Sequence, residues 1–166
     1  MSFARLDTGS TVSDAHARHI LNGLRARTLS EPEWTHGAHL TAAVVLLNEV
    51  GLARASVQMP EMIRRYNESL GGINSDTAGY HHTITLFYLQ LIDKFCTHYS
   101  AHSIGEQATT LLSSPLSDRT FPLRYYSKEL LFSIKARRNW AEPDLTQSTF
   151  AEIVSINSID NQSGQN

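Results

Sequence analysis

Several things are scarce in this chain of 166 residues, and each scarcity narrows what it can be. It has one cysteine, Cys96. A disulfide framework within the chain is therefore excluded, and a reducing compartment is the simpler expectation, with Cys96 packed in an apolar helical stretch. Basic residues never run beyond the pairs Arg64-Arg65 and Arg137-Arg138, and 14 basic against 16 acidic side chains leave the net charge near zero. That lacks the electrostatic footprint of a nucleic-acid binder. The opening residues "MSFARLDTGS" carry no apolar core of a signal peptide, and no uninterrupted apolar run approaches the length of a membrane span. The expectation is a cytoplasmic protein without nucleic-acid or membrane partners. Whether it forms a homo-oligomer is left open.

What is present is helical periodicity. With 41% hydrophobic residues, the chain is long enough for one domain with a substantial core. Ser13 precedes Ala17, Ile20, Leu21 and Leu24, which recur at i, i+3, i+4 and i+7. Ser30-Glu31-Pro32-Glu33 is a capping-box pattern, and the helix it opens is expected to run to Gly51. Met62, Ile63, Tyr66 and Leu70 form the stripe of a third helix, with a break expected near Pro60 and a stop at Gly71-Gly72. Ser75 and Asp76 are read as the start of the longest element, whose face carries His81, Ile84, Thr85, Tyr88, Leu91, Ile92 and Phe95.

Ser103-x-x-Glu106 is a second capping box, ahead of a short fifth helix. "SSPLSDRTFPLRYY" reads as a long loop, and Ser127 caps a last helix ending near Arg137 and Arg138. The predicted fold is a single all-α antiparallel bundle of about five to six helices over residues 1–156. A polar, disordered tail is expected over 157–166.

The eight histidines all fall in pairs: His16/His19, His36/His39, His81/His82 and His98/His102. His16 and His19 lie off their helix's apolar stripe, and Ser103 places a helix boundary just after His102. His36 and His39 are different, since Ala43, Leu46, Leu47 and Val50 continue their face inward. His81 likewise heads a buried stripe. Buried imidazoles need polar partners, and one metal ion satisfies several.

Counted from Ser30 and Ser75, His36 and His81 stand at the same depth, ~9 Å inside their helices. With the helices running up, down and up, His36, His39 and His81 are predicted to surround one point as a three-histidine mononuclear site. The cofactor would be a divalent transition metal, zinc or iron first and copper or nickel next. A small substrate, anionic if helix N-termini set the local field, would react there by hydrolysis, group transfer or oxygen chemistry, assisted by Asn67, His82 or Tyr126. Arg64 and Arg65 are expected near the pocket mouth, and Arg137 and Arg138 at the far end. The competing reading is a non-catalytic helical protein that binds a ligand or partner, its histidines forming a hydrogen-bonded polar core. Glu33 is assigned to the cap rather than to a di-iron Glu-x-x-His ligand pair.

The segments "EWTHGAHL", "NESLGGINSDTAGYHHT" and "YYS" resemble small bacterial proteins that carry a Trp-Thr-His-x-Ala-His-Leu motif and a later Gly-Tyr-His-x-Thr motif. The likeness spans Glu33 to Asp144 and groups His36, His39 and His81 as a unit without importing an activity. At His82 the chain departs from that pattern, where an acidic residue is commoner. A looser resemblance is to DinB-type helical bundles, which implies a three-histidine metal site.

Overall fold

The computed structural model describes residues 11–145, so the expected tail from Asn157 lies outside the described residues. Every α or 3-10 segment among them begins where local chemistry favours it. Ser13 accepts a hydrogen bond from the His16 backbone N–H at 3.0 Å and opens α1, Asp14–Ala26. Its stripe of Ala17, Ile20, Leu21 and Leu24 is buried as the spacing predicts.

The Ser30 box does form, with the Glu33 carboxylate accepting from both the Ser30 N–H and hydroxyl. It closes only one 3-10 turn, Glu31–Glu33, before Thr35 takes over as the cap of α2, His36–Ser69. His36 is therefore the first residue of its helix and not the sixth. Bonds from Ser30 and then His19 hold the Glu33 carboxyl down at about 2, which supports its role as a cap.

α2 consists of two helical arms that meet at a sharp kink and fold back on each other. A straight helix would hold Trp34 and Tyr66 about 48 Å apart at ~1.5 Å per residue. Their ring centroids are 5.5 Å apart. The reversal occurs at Gly51, whose φ of 75° and ψ of 169° lie in a region open essentially to glycine. The stop expected at Gly51 is therefore this reversal, whereas the break expected near Pro60 does not occur: Pro60 sits buried inside the second arm. Length and composition alone would let α2 cross a membrane, but the two arms, 36–50 and 52–69, measure about 22 and 27 Å, short of the ~30 Å hydrocarbon core. Nothing lies within 4 Å of the Cβ that an alanine would add at Gly51. Gly51→Ala should accordingly act through backbone strain alone and lower unfolding stability by about 1–3 kcal/mol in a urea titration; an unchanged midpoint would contradict this account of the turn.

α3, His82–His98, starts later than expected because the preceding residues bond elsewhere. The Ser75 hydroxyl accepts from Thr77 and Ala78, Ser75 N–H donates to the Ala78 carbonyl, and Tyr80 N–H donates to Asn74 Oδ1. These bonds make a turn, and His81 itself caps the helix. α4, Ile104–Leu112, follows its Ser103–Glu106 box. Short 3-10 turns at Pro115–Ser117 and Phe121–Arg124 cross the long loop.

The last helix divides in two. Ser127 caps α5, Lys128–Leu131, and Ser133 starts a separate α6, Ile134–Arg138. Among the described residues the fold is an all-α bundle of six helices, and its core joins Leu21 and Leu24 of α1 to Leu46 of α2, Phe87 and Leu91 of α3, and Tyr126.

Candidate functional site

Because the arms of α2 are antiparallel and α3 runs beside them, three helix faces meet at one end of the bundle. The first arm presents His36, His39, Leu40 and Ala43, at the i, i+3/i+4, i+7 spacing of one face. The second arm adds Met59 and Ile63, four residues apart. α3 contributes Ile84, Thr85, Tyr88 and Leu89, and together these side chains enclose a mostly apolar chamber of about 90 Å³.

A second, wider cleft of about 540 Å³ adjoins it, with Trp34, Asn67, Tyr80 and His81 among its walls. The two spaces share His39, Ile63, Ile84 and Thr85. Leu70 and Ile73, both exposed, belong to the outer cleft.

The imidazoles have distinct states. His81 is engaged at both ring nitrogens: Nδ1 accepts from the Ile84 N–H at 3.3 Å, and Nε2 donates to the Leu131 carbonyl at 2.7 Å. A backbone N–H can only donate and a carbonyl can only accept, so these partners select the neutral Nε2–H tautomer. Burial pushes its pKa down, which keeps it neutral. His39 stacks on Trp34 with centroids 3.8 Å apart and rings 25° from parallel. Burial first, then the neighbouring His36 and Arg119 charges, drop its pKa to about 3.

His36 stands edge-on to Tyr88, 5.5 Å between centroids. Its pKa is lowered by burial and by Arg119, against an opposing backbone hydrogen bond with Ser117. Nε2 is buried and has no partner. His36 is also among the residues lining the inner chamber.

The three-histidine metal site is not formed. Among the described residues no group of three or more His, Cys, Asp or Glu side chains could hold a metal ion. The reversal at Gly51 does bring His36, His39 and His81 to one end of the bundle, but His81 has both nitrogens committed to Ile84 and Leu131. The expected zinc, iron, copper or nickel cofactor, and the metal-dependent chemistry assigned to it, are overturned by this donor set.

The three assisting residues are placed in different surroundings. Asn67 reaches the outer cleft, its Nδ2 donating to Asn74 Oδ1 at 3.1 Å. His82 turns to Tyr80, with Nδ1 and the phenol oxygen 3.0 Å apart, and burial followed by Arg64 lowers its pKa. Tyr126 is fully buried, and its hydroxyl donates to the Ala141 carbonyl at 2.8 Å. It packs against Phe87, 5.8 Å away, and is absent from both chambers' walls. Arg137 and Arg138, expected at the far end, instead lie at the Asp76–Tyr80 turn.

Residues that sequence reasoning passed over complete the site. Trp34 was inside the quoted motif but had no assigned role; an indole beside a histidine pair is a usable signal for stacking. Tyr88 and Thr85 were read only as a buried stripe. Yet Tyr88 walls the inner chamber, and Thr85 faces both spaces while donating to the His81 carbonyl at 2.9 Å.

No protein-family model matches the chain, nor does any curated protein or solved structure match it significantly. The reading of the site rests on its own geometry.

Proposed function

We propose that this chain is a non-catalytic helical module that binds a small, neutral, largely apolar molecule carrying an amide or hydroxyl group. One observation carries the reading. Among the described residues two buried side-chain polar atoms lack a partner, Trp34 Nε1 and His36 Nε2, and both belong to walls of the two joined spaces. Buried polar groups in folded proteins are overwhelmingly paired, because an unmade bond costs about 1–3 kcal/mol. A donor indole and an acceptor imidazole together suit a ligand with one acceptor and one donor.

Size narrows the class further. A chamber near 90 Å³ is smaller than the ~150 Å³ cavity that takes benzene, so a branched alkyl group of a few carbons fits. The outer cleft, at about 540 Å³, is within the ~300–1,000 Å³ range of ordinary ligand pockets. His39 and His81 act as fixed neutral walls, one stacked and one bonded at both nitrogens.

The test uses isovaleramide, a branched primary amide, and the fluorescence of Trp34 in a Trp140→Phe background. A saturable change is expected. Ala43→Leu, which fills the chamber, and His36→Phe, which removes the acceptor but keeps the ring, should each weaken binding about tenfold or more. Equal titrations in all three proteins, or no saturation in any, would overturn the proposal.

A further inference from the structure

Beyond Tyr80, on another part of the same end, lies a cleft of about 470 Å³ lined by Arg64, Asn74, Ser75, Asp76, Tyr80, Arg137 and Arg138. Three guanidinium groups share it with one carboxylate. That carboxylate is already used: Asp76 takes a two-pronged pair from Arg138, at 2.6 and 2.7 Å. Arg64 and Arg137 have no carboxylate partner among the described residues. Glu68, near the end of α2, accepts from Asn74 Nδ2.

Both unpaired cations are nevertheless held in position. The Arg64 guanidinium lies over the Tyr80 ring, 4.2 Å from its centroid. Arg137 Nη1 donates to the carbonyls of Gly79 and Tyr80, each at 3.2 Å. Neither contact uses more than part of the five-donor fork. Holding long cationic side chains in place beforehand lowers the entropy lost when a ligand arrives, and gathering like charges in a concave site focuses their field on it.

We infer that this cleft is an anion site for the phosphate group of a small phosphorylated molecule, with Arg64 and Arg137 as its ligands. Two fixed guanidinium planes match a tetrahedral dianion in charge and in oxygen count, whereas a carboxylate would leave one cation unneutralised. Ser75 adds a donor. Its oxygen accepts from Thr77 and Ala78, so the hydroxyl proton remains available. The volume exceeds what a bare phosphate needs and leaves room for the group attached to it. This site is separate from the two-chamber cleft, with Tyr80 as a common wall, and does not depend on that proposal.

Inorganic phosphate titrated into the full chain at constant ionic strength, followed by the arginine Nε–H resonances, tests it. Saturable shifts are expected at Arg64 and Arg137. Arg64→Gln should weaken phosphate binding about fivefold or more, and Arg137→Lys should weaken it while keeping the charge. Arg65→Gln is the matched control, because Arg65 is exposed and pairs with Glu61 one turn away. Shifts that fail to saturate, or that respond equally to Arg64→Gln and Arg65→Gln, would mean general ion screening only and overturn the site. Acetate binding as tightly as phosphate would overturn the phosphate assignment.

Discussion

His81→Ala should lower unfolding stability by about 2–4 kcal/mol at neutral pH. Two losses combine. The cap on α3 goes, worth about 0.5–2 kcal/mol, and the Leu131 carbonyl, in a residue only 2% exposed, loses its donor at a cost of about 1–3 kcal/mol. The second loss also loosens α5 from the head of α3, since the His81–Leu131 bond joins residues 50 apart in sequence. His81→Asn separates the two contributions. Asparagine is a good cap and can accept from the Ile84 N–H, but its short side chain does not extend to Leu131. It should therefore recover part of the stability, leaving a deficit close to that of one buried hydrogen bond. Urea unfolding with an unchanged slope is the measurement. A deficit below about 1 kcal/mol in His81→Ala would show that the ring is not the strut described here.

The same residue shows where sequence reasoning reached and where it stopped. Serine caps at positions 13, 103 and 127, the burial of the Ala17–Leu24 stripe and the reversal at Gly51 follow from short-range chemistry, and the structure has them all. The pairing of the two arms and α3 at one end followed from those. The start of α3 was harder, because Ser75 and His81 both can accept from a backbone N–H. Histidine is outside the usual set of caps. Only the tertiary bond to Leu131 makes His81 the better-anchored choice, and Leu131 is remote in sequence.

A metal set was inferred from shared level and shared face, but level says nothing about which atoms a ring nitrogen already holds. Arg137 and Arg138 were misplaced for a related reason. One continuous last helix would have carried them away, whereas the new cap at Ser133 turns α6 back toward Asp76 and Gly79. The orphaned nitrogens of Trp34 and His36 depend on packing from three elements, which no local pattern encodes.

Acid should destabilise the fold well above the pH where carboxylates titrate, and His39 should be the largest single cause. An unfolded histidine binds a proton near pH 6.5, while folded His39 holds off until about 3. Between those values the unfolded chain carries a proton there that the folded chain does not. Stability therefore falls as pH drops, by about 1.4 kcal/mol per pH unit for this one group, and stops falling below its folded pKa. At pH 4.5 the loss relative to neutrality is about 2–3 kcal/mol. His36, His81 and His82 are also shifted down, each chiefly by burial, and steepen the decline just below pH 6.5. Glu33 contributes in the same direction at lower pH: its stabilising state is complete above about 4.5 and is lost as pH falls toward 2.

His39→Phe isolates the main term, because phenylalanine keeps an aromatic face against Trp34 and cannot take a proton. Urea midpoints between pH 7.5 and 4 should show the variant losing about 3 kcal/mol less than wild type over that range. Parallel pH profiles for the two proteins would mean that His39 protonates in the folded state as readily as in the unfolded one. The stacked, neutral wall assigned to it would then be wrong.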